Sequence, residues 1–151
     1  MVTIDKYNFP DDLYYNDQYL WAKAEGNTVT VGVAGFASVE SGEVSYLDLI
    51  MREDDEVIAG KPFGSIESGK GATTLYAPVS GTITAVNDDV EGDPSLINQD
   101  CYGGGWIVKI EATNLDGDLG KLWKADGGAF KDWLNSEITK AVEKKKELGI
   151  D

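Results

Sequence analysis

The chain predicts a mainly β fold, a sandwich or barrel with short helices attached and one long helix near its C-terminus. Three observations carry this. Apolar and hydroxyl residues run in short strand-like segments bounded by glycine. Turn signals recur between them, at Glu25-Gly26-Asn27, Ser41-Gly42, Ala59-Gly60-Lys61 and Ser80-Gly81. One pattern also repeats: Ser41-Gly42-Glu43-Val44-Ser45-Tyr46-Leu47 and Ser80-Gly81-Thr82-Ile83-Thr84-Ala85-Val86 share Ser-Gly-x-aliphatic-hydroxyl-x-aliphatic, 39 positions apart. Two such β units point to a pseudo-twofold sandwich.

Taken in order, residues 29–33 and 44–49 alternate or run apolar over a strand's length, as do 82–86 and 106–110. Between the first pair, residues 34–40 are small-residue rich and end at Ser41-Gly42, which reads as a short helix. Residues 62–66 and 73–76 form two strand-like arms of a hairpin. Asp93-Pro94-Ser95-Leu96-Ile97 has an aspartate at the N-cap and proline at the first helical position, the start of a one-turn helix. From 129 to 148, Phe130, Trp133, Leu134, Ile138, Ala141 and Val142 follow helical i, i+3, i+4 spacing opposite Lys and Glu, and Gly149 is the stop. That stripe is read as packing on the helix's own domain.

A chain of 151 residues is one domain's worth. With 27 acidic and 13 basic residues its net charge is -14, which disfavours nucleic acid and anionic membranes and favours partners with basic surfaces. No apolar run approaches a membrane span, and the N-terminus lacks a signal pattern, so a cytoplasmic protein is expected. The single cysteine, Cys101, cannot form an intramolecular disulfide, and the chain has no histidine. That removes Ser-His and Cys-His catalysis and the common zinc sets, so neither a catalytic nor a metal-ligating group is expected.

One residue stands out at the hairpin tip. Lys70 lies in Glu67-Ser68-Gly69-Lys70-Gly71, where glycines on both sides permit turn angles and leave the amine open. A glycine-flanked lysine is ordinarily a solvated surface charge. Its other reading is an amine offered for covalent modification.

The surrounding residues decide between these by resemblance. Gly32-Val33-Ala34, Ser41-Gly42-Glu43-Val44, Val57-Ile58-Ala59-Gly60-Lys61-Pro62-Phe63-Gly64, Ile66-Glu67-Ser68-Gly69-Lys70 and Leu75-Tyr76-Ala77-Pro78-Val79-Ser80-Gly81 are similar to the H-protein family of the glycine cleavage system. The likeness continues through Asp93-Pro94-Ser95-Leu96-Ile97-Asn98 and Tyr102-Gly103-Gly104-Gly105-Trp106, covering about 13–111 in unbroken order. The resemblance implies a lipoyl/biotinyl-type β-sandwich (barrel-sandwich hybrid) as one carrier domain over 1–151, with a helical extension at about 127–148.

It also implies lipoic acid in amide linkage on Lys70, with Glu67, Ser68, Gly69 and Gly71 as its setting and Glu67 as a candidate polar wall for the cargo. The chain is then a non-catalytic carrier of an aminomethyl group. Its implied partners are a lipoate ligase or lipoyl transferase, glycine decarboxylase, aminomethyltransferase and dihydrolipoamide dehydrogenase. Biotinyl domains place methionines beside the modified lysine, whereas Gly69 and Gly71 stand here.

A second resemblance stays open. Tyr19-Leu20-Trp21 stands where the family reads His-Glu-Trp, and Gly69 and Gly71 flank Lys70 where it reads valine and alanine. This core and Phe9-Pro10-Asp11-Asp12-Leu13-Tyr14-Tyr15 look closer to H-protein-like lipoate-binding proteins that serve a heterodisulfide-reductase-like sulfur-oxidation pathway. The arm would then carry sulfur, and Cys101 becomes a candidate thiol beside its plainer reading as a small packing residue. A third alternative is an unmodified structural or interaction module.

Overall fold

The computed structural model describes residues 1–149. In chain order it contains β1 (Val2–Ile4), β2 (Tyr7–Phe9), β3 (Tyr14–Tyr15), β4 (Leu20–Glu25), β5 (Thr28–Val33), α1 (Gly35–Glu40) and β6 (Val44–Leu49). There follow β7 (Glu56–Val57), β8 (Pro62–Ser68), β9 (Gly71–Tyr76), β10 (Gly81–Val86), α2 (Asp88–Gly92) and α3 (Leu96–Gln99). The chain closes with β11 (Val108–Ala112), α4 (Leu115–Leu119), β12 (Trp123–Lys124) and α5 (Gly128–Glu147).

All strand pairing is antiparallel: a seven-stranded sheet in the order β12-β3-β4-β5-β11-β10-β7, a three-stranded sheet β6-β8-β9, and the hairpin β1-β2. The two larger sheets face each other across a core that includes Val29, Val31, Phe63, Ile66, Leu75, Ile83, Ile107 and Ile110, all buried. The mainly β class is therefore as the sequence predicts.

The repeat has a physical basis. Pairing between β6 and β8 is bulged between Val44 and Tyr46, and pairing between β10 and β11 is bulged between Ile83 and Ala85. The extra residue is the repeat's hydroxyl in both cases. Ser45 donates to the Glu67 carbonyl at 3.3 Å, and Thr84 donates to the Lys109 carbonyl at 3.4 Å. A bulge leaves ladder groups unpaired, and a short hydroxyl side chain reaches the carbonyl opposite the next residue. One unit lies in each large sheet.

Several boundaries move. The fourth predicted strand starts at Val108 and not at Trp106, because the Trp106 N–H is taken by the Gly103 carbonyl in a turn closed on Asp100. The one-turn helix runs from Leu96, with Ser95 at the N-cap; the Asp93 carboxylate accepts from the Ser95 N–H one step earlier. Strands β3, β7 and β12 are two residues each and have no sequence pattern to find.

α5 matches the predicted helix closely, and Gly149 ends it at φ +70°. Its stripe seats Phe130, Trp133, Leu134, Ile138 and Ala141 in a second core with Tyr7, Phe9, Leu13, Tyr15, Trp21 and Phe36. Val142 does not join them; it is 46% exposed, one helical step off the buried face. Aromatic rings hold this second core: Phe130 meets Phe9 edge-on at 5.0 Å and stacks on Tyr15 at 4.9 Å. The N-terminal hairpin and the C-terminal helix thus depend on each other, although they lie at opposite ends of the chain.

Candidate functional site

The hairpin β8-β9 pairs Ser68 directly with Gly71, which leaves Gly69-Lys70 as a two-residue tip. Lys70 is exposed there. Only one of its glycine neighbours is used for conformational freedom. Gly71 sits at φ +123°, a region that residues with side chains rarely adopt, while Gly69 has an ordinary negative φ and open space where a Cβ would go. The expectation that both glycines shape the turn is corrected to Gly71 alone.

The tip lies against the end of α1. The last carbonyls of a helix have no partner within it, and here the hairpin supplies two. The Ser68 hydroxyl donates to the Ser41 carbonyl, and the Lys70 ammonium donates to the Glu40 carbonyl at 3.2 Å. Asn98 adds to these, its amide reaching the Ser38 and Gly42 carbonyls at 2.8 Å each while its oxygen accepts the Val44 N–H. A cation at a helix C-terminus also faces the negative end of the helix dipole. The Lys70 N–H in turn donates to Ser68 Oγ at 3.2 Å, so one serine ties the tip's backbone to α1.

Gly42, at φ +73°, completes the seat. A Cβ added there would lie 3.6 to 3.8 Å from the Lys70 side-chain carbons, so the aliphatic stem runs across the glycine in ordinary contact. The Glu40 side chain is itself clamped. Tyr7 donates to one carboxylate oxygen at 2.7 Å, and Lys145 of α5 pairs with the other at 2.9 Å. Burial opposes ionisation of Glu40, but the hydrogen bonds from Tyr7 and Lys145 outweigh it and hold the carboxyl below its ordinary value.

Of the residues picked from sequence, the structure brings Ser68, Lys70 and Gly71 together at the tip, with Gly69 on its open side. Glu67 is on the outer face of the sheet, across from Tyr46 and Ala72. Its carboxylate is exposed and takes no hydrogen-bond or ion-pair partner among the described residues. Sequence reasoning missed Glu40, Ser41 and Asn98, although Ser41 and Asn98 lay inside segments quoted for the family pattern.

Tyr19, standing in the family's histidine position, adopts φ +75°, stacks on Phe36 and meets Trp133 at a tilt, with its hydroxyl on Glu137. Its use is to seat α5. Cys101 is half-buried, its carbonyl accepting the Trp21 indole N–H at 2.8 Å, and burial pushes its thiol pKa up. A raised thiol is a poorer nucleophile at neutral pH, which fits the packing reading. A cleft of about 380 Å³ lined by Asn16, Asp17, Tyr76, Pro78, Lys121 and Trp123 opens at the hairpin's base. Tyr76 is six residues from Lys70, about 20 Å along the strand, so that cleft belongs to the other end of the molecule.

No helix among the described residues is long and apolar enough to cross a membrane, and no group of three or more potential metal ligands occurs among them.

Comparison with known proteins converges on one family. The family model described as glycine cleavage H-protein matches residues 13–129. A probable glycine cleavage system H protein from Haloarcula marismortui is 43% identical over 108 residues, covering 72% of this chain and 84% of the relative. The glycine cleavage system H protein of Salinibacter ruber is 42% identical over 122 residues, covering 80% and 95%. The crystal structure of a glycine cleavage system H protein from Mycobacterium marinum superposes with a TM-score of 0.72 at 29% identity, covering 85% of this chain and 98% of that one. With a lysine-tipped hairpin on a two-sheet sandwich and a family match across more than two thirds of its length, the chain belongs to the glycine cleavage H-protein family.

Proposed function

We propose that Lys70 is the attachment point of the lipoyl arm through which this protein works. As a member of its family the chain is a lipoyl carrier of the aminomethyl group, a non-catalytic component of the glycine cleavage system. The observation that carries the assignment is the placement of Lys70 at a two-residue tip, exposed, with open space at both neighbouring glycines. The lysine fits an amide-linked arm: its amine is accessible to a modifying enzyme, and its backbone is fixed by Ser68 so that the arm swings from a rigid base.

When bound, lipoic acid supplies a dithiolane whose reduced thiols hold the aminomethyl group. The protein's residues present and steady it. Ser68 and Gly71 set the tip, Gly42 lets the stem lie flat, and the Glu40 carbonyl receives the arm's nitrogen. An amide keeps one N–H for that carbonyl after the ammonium charge is gone. Glu67, exposed one rung behind the tip, is available to the enzymes that grip the hairpin.

The partners follow from the assignment: a ligase or transferase that installs the arm, then glycine decarboxylase, aminomethyltransferase and dihydrolipoamide dehydrogenase in turn. Intact-mass measurement after incubation with a lipoate ligase is the direct test. A single lipoyl increment on the wild type that is absent from Lys70→Arg supports the reading. No increment would overturn it and favour an unmodified module; an increment that survives the substitution would overturn Lys70 as the attachment point. Exchange of labelled bicarbonate into glycine with glycine decarboxylase tests the cargo. Failure to exchange, with sulfur loading of the reduced arm, would move the assignment to a sulfur carrier.

A further inference from the structure

The matched family stretch spans residues 13–129, and the parts of this chain outside it meet at one place. Tyr7, from the N-terminal hairpin, and Lys145, from the last turns of α5, grip the two oxygens of the Glu40 carboxylate at 2.7 and 2.9 Å. Glu40 is the final residue of α1, and its backbone carbonyl accepts the Lys70 ammonium at 3.2 Å. A terminal helical residue frays unless something holds it. Ser68 and Asn98 hold the neighbouring carbonyls of Ser41, Ser38 and Gly42, and the Glu40 side chain is held by two segments 138 positions apart, between 7 and 145, packed together through Phe9, Tyr15 and Phe130.

We infer that Tyr7 and Lys145 are positioning residues for the lysine arm, which by clamping the Glu40 side chain keep the Glu40 carbonyl in place as the arm's resting partner. The inference rests on the reading of Lys70 as the arm's attachment point, and it gives that arm a preferred state. At rest the arm's nitrogen lies on α1 and its stem crosses Gly42. Released, the arm swings out to a partner enzyme. The clamp sets the balance between the two, and it does so from outside the stretch matched by the family model. Because the contact is a single exposed hydrogen bond, the bias is modest and easily reversed, as a shuttling arm requires.

The test reads the arm's own nitrogen. In the unmodified protein labelled with 15N-lysine, the Lys70 ammonium is assigned by its loss in Lys70→Arg, and its proton exchange with water is measured by NMR. In the lipoylated protein the same measurement is made on the arm's amide proton. Tyr7→Phe and Lys145→Ala should each speed exchange at both nitrogens by about threefold or more, a ratio within reach of one net hydrogen bond. Lys145→Arg, which keeps the ion pair, should restore the slow rate. Loss of a remote packing contact would not move this readout selectively, and Tyr7→Phe retains the ring that packs in the second core.

Exchange unchanged in both variants, or changed at the ammonium but not at the arm's amide, would overturn the inference. Absence of a lipoyl mass increment would instead end the attachment-site reading, and the ammonium measurement would still decide whether the clamp exists.

Discussion

The hydroxyl of Ser68 is held on the carbonyl of Ser41, so the hairpin that presents Lys70 is capped onto the end of α1 rather than left to project freely. The same oxygen accepts the Lys70 N–H at 3.2 Å. Ser68→Ala removes both links at once. The expected cost is about 1 kcal/mol in urea denaturation, the net worth of one or two partly exposed hydrogen bonds. Amide exchange at 69–71 should rise more than exchange in β10. A tip as protected as in the wild type would mean that the serine is dispensable.

The two glycines of the tip should respond differently to substitution. For Gly69→Val, the added Cβ meets no atom within 4 Å and the backbone has no positive φ, so stability should change by less than about 0.5 kcal/mol. Gly71→Val places a β-branched residue at φ +123° and should cost on the order of 1–3 kcal/mol. Paired urea titrations decide it, and equal losses for the two variants would contradict the geometry.

Phe130 anchors α5 through its contacts with Phe9 and Tyr15. Phe130→Ala should destabilise by about 3–5 kcal/mol, as emptying a buried aromatic site does. The loss should appear as detachment of both terminal segments together, because they share this core. Limited proteolysis should then cleave in α5 and in the β1-β2 hairpin at matching rates while β8 and β9 stay resistant. Cleavage confined to α5 would show that the hairpin stands alone.

Acid should loosen the same region. The Glu40 carboxyl is held below its ordinary value of 4.5, against the pull of burial, by Tyr7 and Lys145 with Lys6 nearby. A depressed carboxylate contributes stability that is present above pH 4.5 and is lost as pH falls through its lowered folded value. Trp133 packs on Tyr19 and Trp123 along α5 and serves as the local reporter. Its environment should change below about pH 4.5 in the wild type, and the step should shrink in Lys145→Ala. Glu91 is likewise held below its ordinary value, by Arg52, but is not in the second core. The difference between the wild type and Lys145→Ala isolates Glu40. An identical step in both would assign it elsewhere.

How much was legible in advance depends on how local each cause was. The repeat at 41–47 and 80–86 was visible as letters, and its physical meaning is also local: a bulged residue with a hydroxyl that repairs its own ladder. The turn at Lys70 and the stop at Gly149 were legible because glycine signals each from a few neighbours. Val142 was misassigned because helical spacing locates a stripe only to within one step, and the edge of the buried face depends on how the helix rolls against its neighbours. The turn-angle part of the role given to Gly69 fails for a related reason, while its openness beside the amine stands. Two glycines flanking a residue look equivalent in sequence, and only the backbone angles of the folded tip show that Gly71 bears the positive φ.

By itself, then, the sequence determined a β sandwich with a lysine at a hairpin tip and a long amphipathic helix at the C-terminus, because periodicity and turn chemistry act over a few residues. Only the tertiary structure decided what that lysine rests on. The Glu40 carbonyl is 30 residues away in the chain, and the groups that clamp Glu40 come from its two ends. No local pattern encodes such a meeting. It exists because the second core buries Tyr7, Phe9, Tyr15 and Phe130 together, and burying them brings the polar groups beside them into reach.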